Sequence, residues 1–297
     1  MTMGLKPCSW LLVIYPSPLG VLMELEHMSY SALSRYEECP RSFYLGRVKR
    51  AEEKQTWFFP LGSAVHQCVE DYLQTGEVPE FTDRFYPLIE KQLKIDPVDV
   101  NWLASGSQDD PIIRGKAVEL GKRCVEAAIK FLDDIDVWEV EYDATGRLPG
   151  CEVPIKAFID IVGEHKKHGP SIVDWKTGKQ KPKTNLQLET YDALLHVPSI
   201  SGNDHPFTEH GTMKFTGLWA MVNPDAAKAR PVKLDTDPSA LGARYQAAYE
   251  QVKERKWQAN AGFHCRFCTM APNCLVEAGP TKRARFYDKS DEEGFPF

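Results

Sequence analysis

The sequence predicts an α/β fold. Three observations carry this: apolar residues at helical spacing across 112–132, β-branched and aromatic runs near 137, 158 and 171, and a helix from Thr184 to Leu195 followed by an apolar strand from about 213. In chain order these elements read αβββαβ, and 297 residues at 42% hydrophobic content suffice for a buried core.

The first 27 residues hold one apolar run, Trp10 to Tyr15, broken by Pro16 and Pro18 and too short to cross a bilayer. With Met23 and Met28 as alternative starts, residues 1–27 read as an extension, 28–276 as one domain, and 277–297 as a C-terminal tail. No membrane association is expected. Eight Cys in a chain of this length, four of them scattered singly (Cys8, Cys68, Cys124, Cys151), point to a reducing cytoplasm and not to a secreted disulfide framework.

Ser29 to Leu45 has helical spacing that Cys39-Pro40 should end or kink. In LGSAVHQCVEDYL, Ser63 is the expected N-cap, Val65, Cys68, Val69, Tyr72 and Leu73 the buried stripe, and His66 and Glu70 stand one turn apart beside it. Residues 76–110 carry Pro79, Pro87, Pro97 and a polar SGSQDD stretch, so only a short helix near 84–94 is expected there.

The most informative stretch runs from Ala157 to Tyr191. Phe158 to Val162 and Ser171 to Lys176 read as a hairpin with a longer loop, and pairing symmetric about Lys167 would set Asp160 opposite Asp174. Strand alternation then gives Val173, Trp175, Ile159 and Ile161 an apolar face, and Asp160, Asp174 and Lys176 the other. Opposed carboxylates repel, so a cation belongs between them; a divalent metal and a solvated face neutralised by Lys176 both answer. Downstream, Gln187 and Tyr191 share a helix face, although Thr184 with Gln187 also matches a capping box. Pro231 to Leu234 suggests a further strand, and Asp237-Pro238 opens a helix to about Trp257.

The net charge of −6 argues against bulk attraction to nucleic acid, yet between Asp160 and Lys183 six Lys face three acidic residues. Arg41, Arg47, Lys49 and Arg50 interleave with Phe43 and Tyr44, a composition suited to tracking a nucleic-acid backbone or to a solvated helix face. Cys265, Cys268 and Cys274 have the spacing C-x2-C-x5-C, dense enough to wrap a metal centre that needs a fourth ligand. Cys39 is the best candidate, because His264 adjoins Cys265 and adjacent residues rarely reach one ion. Four thiolates suit zinc or an iron-sulfur cluster equally by spacing.

Taken in order, these pieces resemble the PD-(D/E)XK nuclease superfamily, in particular RecB-like exonucleases and the CRISPR-associated four-cysteine iron-sulfur branch. The match covers roughly 29–276 with gaps at 76–110 and 196–211, and rests on Gly62 to His66 (G-x3-H), Asp160, Asp174 with Lys176 (D-x-K), Gln187 with Tyr191 (Q-x3-Y), and Cys39 in C-P-x-x-F-Y followed by the three C-terminal cysteines. The resemblance implies a restriction-endonuclease-like core, a mixed sheet flanked by helices. It further implies Mg2+ or Mn2+ held by His66, Asp160 and Asp174, catalysis by Asp160, Asp174, Lys176, Gln187 and Tyr191, and a 4Fe-4S cluster on the four cysteines, with zinc as the lesser alternative. The implied activity is exonucleolytic hydrolysis of DNA, single-stranded or at ends, in recombination or repair, with a helicase or recombinase as partner; a silent end-binding subunit of such a complex is the alternative. The closing SDEEGFPF also resembles the acidic tips of bacterial single-stranded DNA-binding proteins.

Overall fold

Five strands form one sheet in sequential order in a computed structural model that describes residues 25–53, 56–94, 110–200, 213–262, 264–265 and 268–278. β1 (Ile135–Asp143), β2 (Phe158–His165) and β3 (Gly169–Lys176) are antiparallel neighbours, β4 (Thr216–Met221) runs parallel to β3, and β5 (Lys228–Lys233) closes the edge antiparallel to β4. A parallel step needs a crossover, and α6 (Leu186–Leu195) supplies it. The expected αβββαβ order is therefore present, as α5 (Asp110–Leu132), β1, β2, β3, α6 and β4. Pro231 lies on β5, where an edge strand tolerates the missing N–H.

Helices cover both faces. Ile161, Val173, Trp175 and Leu218 pack with α3 (Phe58–Thr75), α4 (Phe81–Leu93) and α5. Val162, Ile172 and Trp219 pack with α1 (Tyr30–Glu38), α6 and α7 (Pro238–Lys253). The hairpin thus has no single apolar face, contrary to strict alternation: Val162 and Ile172 are buried on the side assigned to the charged residues, and Ile159 and Ile161 fall in different clusters. Alternation is interrupted beside Asp160, where Glu141 of β1 takes φ +48°.

Other boundaries moved for local reasons. The hairpin turn is short, residues 166–168, because β2 and β3 extend through His165 and Gly169, the latter at φ +68°. α3 starts at Phe58 and not after Ser63, since Pro60 falls within the first turn, where backbone N–H groups lack helical partners anyway; the Ser63 hydroxyl accepts from Gln92 instead. α6 begins after Asn185, so Thr184 and Gln187 form no capping box. Asp237 caps α7 through the Ser239 N–H as expected, but α7 ends at Lys253.

At the N-terminus Met28 is fully buried and bridges Ile155, while Ser29 caps α1 through the Ala32 N–H. α1 ends at Cys39, and Pro40 starts a second short helix, α2 (Pro40–Phe43), running into a π-helical turn, Tyr44–Val48. The last helix is α8 (Ala271–Ala278). Residues 1–24 of the N-terminal extension and the SDEEGFPF tail lie outside the described residues.

Candidate metal site and lysine

The sheet register sets three carboxylates in a row. β2 and β3 pair as Ile161 with Val173 and Val162 with Ile172; one further step brings Asp160 level with Asp174, the symmetry about Lys167 read from the sequence. The ladder opens there because the Asp160 carboxylate takes the Trp175 backbone N–H at 2.7 Å. On the other side, a bulge between Val137 and Glu139 shifts β1 by one residue, so that Val140 pairs with Ile161 and Glu141 comes level with Asp160. Gly163 accommodates that irregular strand, since a Cβ there would lie 2.4 Å from the Asp136 carbonyl oxygen.

α3 brings in the imidazole. Gly62 lies beside the end of β3, where an added Cβ would sit in ordinary contact 3.6 Å from the Thr177 hydroxyl, and one turn later His66 Nδ1 lies 3.3 Å from Asp160 Oδ1. Among the described residues, His66, Glu141 and Asp160 have donor atoms within 4.8 Å of one another. Asp174 is not in that triad; its carboxylate pairs with Lys176. Oxygen donors plus one imidazole form a donor set that fits a hard divalent ion such as Mg2+ or Mn2+.

Lys176 is held from three sides. Besides Asp174, its ammonium donates to Gln187 Oε1 at 3.1 Å and lies 5.1 Å from the centre of the Trp219 ring. Gln187 in turn donates to the Tyr191 hydroxyl at 2.8 Å, and Trp219 donates to Asn185 at 3.3 Å. The i, i+4 pair on α6 and the β3–β4 register, which sets Trp219 beside Asp174, thus converge on one amine.

Burial and mutual charge perturb every acid in the row. Burial lowers the His66 pKa, but the charge and hydrogen bond of Asp160 outweigh it and raise the imidazole to about 9. Burial, with Asp160 adding repulsion, pushes Glu141 up to about 7. Burial also lifts Asp174 to about 6 against the pull of Lys176. Burial opposes ionisation of Asp160 as well, yet His66 and the Trp175 N–H hold it below the ordinary carboxylate range.

The sign of the pH dependence follows. The raised His66 pKa stabilises the metal-free fold below its ordinary 6.5, a contribution lost as pH rises through about 9. Raised Glu141 and Asp174 lose theirs as pH climbs from their ordinary values near 4 through about 7 and 6, while Asp160, lowered, gives a contribution that is present above its ordinary 3.8. A bound cation needs these ligands deprotonated. Thermal unfolding with and without saturating Mn2+ should therefore show a stabilisation that grows from about pH 5 to pH 9; a constant increment would contradict it.

Glu141 is the residue the sequence reading missed. Its signal is weak: IDVWEVEYD offers both Glu139 and Glu141, and only the bulge decides which one comes level with Asp160. Glu141→Gln should weaken Mn2+ binding about tenfold to a hundredfold, measured by calorimetric titration, whereas Glu139→Gln should leave it unchanged.

The basic and aromatic cluster does not form an open stacking surface. Phe43 is buried and stacks on Trp257, Tyr44 stacks on Trp257 at 5.2 Å, and Arg41 and Lys49 lie over the Tyr44 ring. Arg47 donates to the Ser31 hydroxyl. These aromatics join α2 and the turn after it to the segment that follows α7.

The cysteine region lies at that junction. The Asn260 N–H donates to Cys39 Sγ at 3.4 Å and the Gly262 N–H to Cys265 Sγ at 3.2 Å, while Cys268 Sγ lies 3.7 Å from the Ser42 hydroxyl, three residues from Cys39. Cys274 packs with Leu45 and Met270, and Cys268 lies against the same cluster.

A mixed sheet flanked by helices, with a carboxylate row, an imidazole and a half-buried lysine at one strand end, makes this an α/β protein with a donor set suited to a divalent cation. The family model for the PD-(D/E)XK nuclease superfamily matches residues 27–275. The chain belongs to that superfamily, whose members are typically metal-dependent nucleases, and membership implies a nuclease. Among solved structures, "Crystal structure of SSO0001" is 15% identical with a TM-score of 0.33, covering 71% of this chain and 94% of its own. No curated protein matches. Among the described residues, no helix is long and apolar enough to cross a membrane.

Proposed function

We propose that this protein is a divalent-metal-dependent DNA exonuclease, acting on single strands or DNA ends. The convergence of Asp160, Asp174 and Lys176 at one end of the hairpin is the observation that carries the reading.

His66, Glu141 and Asp160 would hold the cation, with Asp174 beside them. When bound, it supplies Lewis-acid polarisation of the scissile phosphate. Lys176 presents its ammonium to the phosphoryl oxygens as charge accumulates on them and orients the attacking water. Gln187, fixed by the Tyr191 hydroxyl, aims that ammonium, and Trp219 supports it from the ring face.

The four cysteines would hold a 4Fe-4S cluster in a structural role, zinc being the alternative. Backbone N–H groups directed at Cys39 and Cys265 sulfurs suit thiolate ligands. Reduced thiols fit a cytoplasmic protein, and a helicase or recombinase would be the source of the single-stranded end.

The test is digestion of end-labelled single-stranded, duplex and circular DNA with Mg2+ or Mn2+. Degradation of linear substrates with circles spared supports the proposal. Metal-independent binding without degradation would leave a silent end-binding subunit in its place.

A further inference from the structure

Two adjacent aromatic side chains stand exposed at the start of the helix that carries His66. Among the described residues, the exposed large apolar side chains are Phe58, Phe59, Val78, Phe158 and Ile200, and only the first two adjoin one another. Phe58 is 50% exposed and Phe59 62%.

Helix geometry aims them. At about 100° per residue, Phe59 and His66 lie within about 20° of each other around α3 and about 10 Å apart along it. Phe58 lies one turn before Gly62, which stands beside Thr177 at the end of β3. Further along Phe58's own stripe, Val65 and Val69 are buried against the sheet. Phe59 thus lies on the His66 stripe about two turns before it, and both rings of this first turn are exposed. Trp57, itself buried, lies 4.0 Å from the Phe58 ring and stiffens it from below.

A basic segment begins at Thr177, beside Gly62. The chain leaving Lys176 carries Lys179, Lys181 and Lys183, all exposed, with Lys179 paired to Asp225 at 2.7 Å. Exposed aromatic rings and exposed amines on these two segments suit a nucleic-acid strand whose bases are unpaired.

We propose that Phe58 and Phe59 form a base-stacking platform that receives the unpaired nucleobases next to the scissile phosphate, while Lys181 and Lys183 track the backbone. The inference rests on the nuclease reading and names its substrate class. Phe59 lies about 10 Å along α3 from His66, so the platform would grip the strand on one side of the cut. In duplex DNA the base faces are already stacked, so the platform would favour single strands and frayed ends over blunt duplex.

The experiment is fluorescence anisotropy of a labelled single-stranded oligonucleotide in EDTA, where no cleavage intervenes. Phe58→Leu/Phe59→Leu should weaken binding about tenfold, while Phe58→Trp/Phe59→Trp binds like the parent, since stacking and not apolar area is at stake. An oligonucleotide of abasic residues should bind the parent as weakly as the intact one binds the Leu variant. Equal binding by the parent and Leu variants, or no loss with the abasic strand, overturns the proposal. Unchanged melting temperatures confirm that these exposed substitutions leave the fold intact. If the binding differences appear but Mn2+ supports no DNA digestion, the platform stands and the nuclease reading falls; digestion with equal binding gives the reverse.

Discussion

Lys176→Ala should reduce DNA cleavage about a thousandfold while leaving the fold and DNA binding in place, the scale seen when a donor directed at developing transition-state charge is removed. The side chain is partly exposed and its partners, Asp174, Gln187 and Trp219, are held by the β3–β4 register and by α6, so its loss opens no cavity in the core. The substitution also removes the cation that opposes burial at Asp174. Asp174, already raised to about 6, should rise further. Metal affinity at neutral pH should consequently fall in the variant and recover as pH increases, whereas cleavage should not recover. Gln187→Ala should lower cleavage only about tenfold, since it leaves the ammonium present but less well aimed. Initial rates on end-labelled DNA with Mn2+, alongside oligonucleotide affinity, check both; cleavage by Lys176→Ala within a few-fold of the parent would end the assignment.

How much of this site could be read in the sequence depends on what fixes each residue. The hairpin register was legible because two β-rich runs flank a polar turn, and symmetry about Lys167 leaves little choice once alternation is respected; the strands match it. Lys176 followed from the same alternation. Glu141 did not, because a bulge is a one-residue choice made by tertiary packing around Gly163 and leaves no composition signal. His66 was readable from its spacing as a helix residue off the buried stripe, and as a fellow ligand of Asp160 only through the family resemblance, since that contact depends on how α3 packs on the sheet. The single apolar face failed for another reason: periodicity within two strands does not reveal that helices cover the sheet from both sides. Phe43 and Tyr44 suggested an open surface because their packing partner, Trp257, is far away in the chain.

Cys39→Ser and Cys274→Ser should each abolish binding of the proposed metal centre and lower the melting temperature by about 5 °C, corresponding to about 3 kcal/mol in a chain of this size. Among the described residues, the 260–278 segment is joined to the N-terminal helices mainly by polar contacts. Arg35 reaches Thr269 at 3.3 Å, Thr269 donates to Glu53 at 2.7 Å, Asn273 to the Glu52 carbonyl at 2.6 Å, and Asn260 to the Glu38 carbonyl at 3.0 Å. These contacts are largely exposed, and exposed hydrogen bonds exchange readily with water. The local apolar cluster is small, with Leu45, Met270 and Cys274 at its centre. Segments with so little buried apolar area open at low cost unless something else ties them down. Two sulfurs accept backbone N–H groups, from Asn260 to Cys39 and from Gly262 to Cys265, and the proposed centre would tie α1 to the 260–274 segment there. A cluster bridging both ends would also protect the Tyr36, Phe43 and Tyr44 packing around Trp257, so its loss should propagate into the main core and register as global destabilisation. Visible absorption and iron content of the purified protein, followed by thermal unfolding of both variants, give the readout. Brown parent protein with colourless, destabilised variants is the expected outcome; a colourless, zinc-loaded parent would make the tie zinc, and variants that melt with the parent would show that the four thiols hold no structural centre.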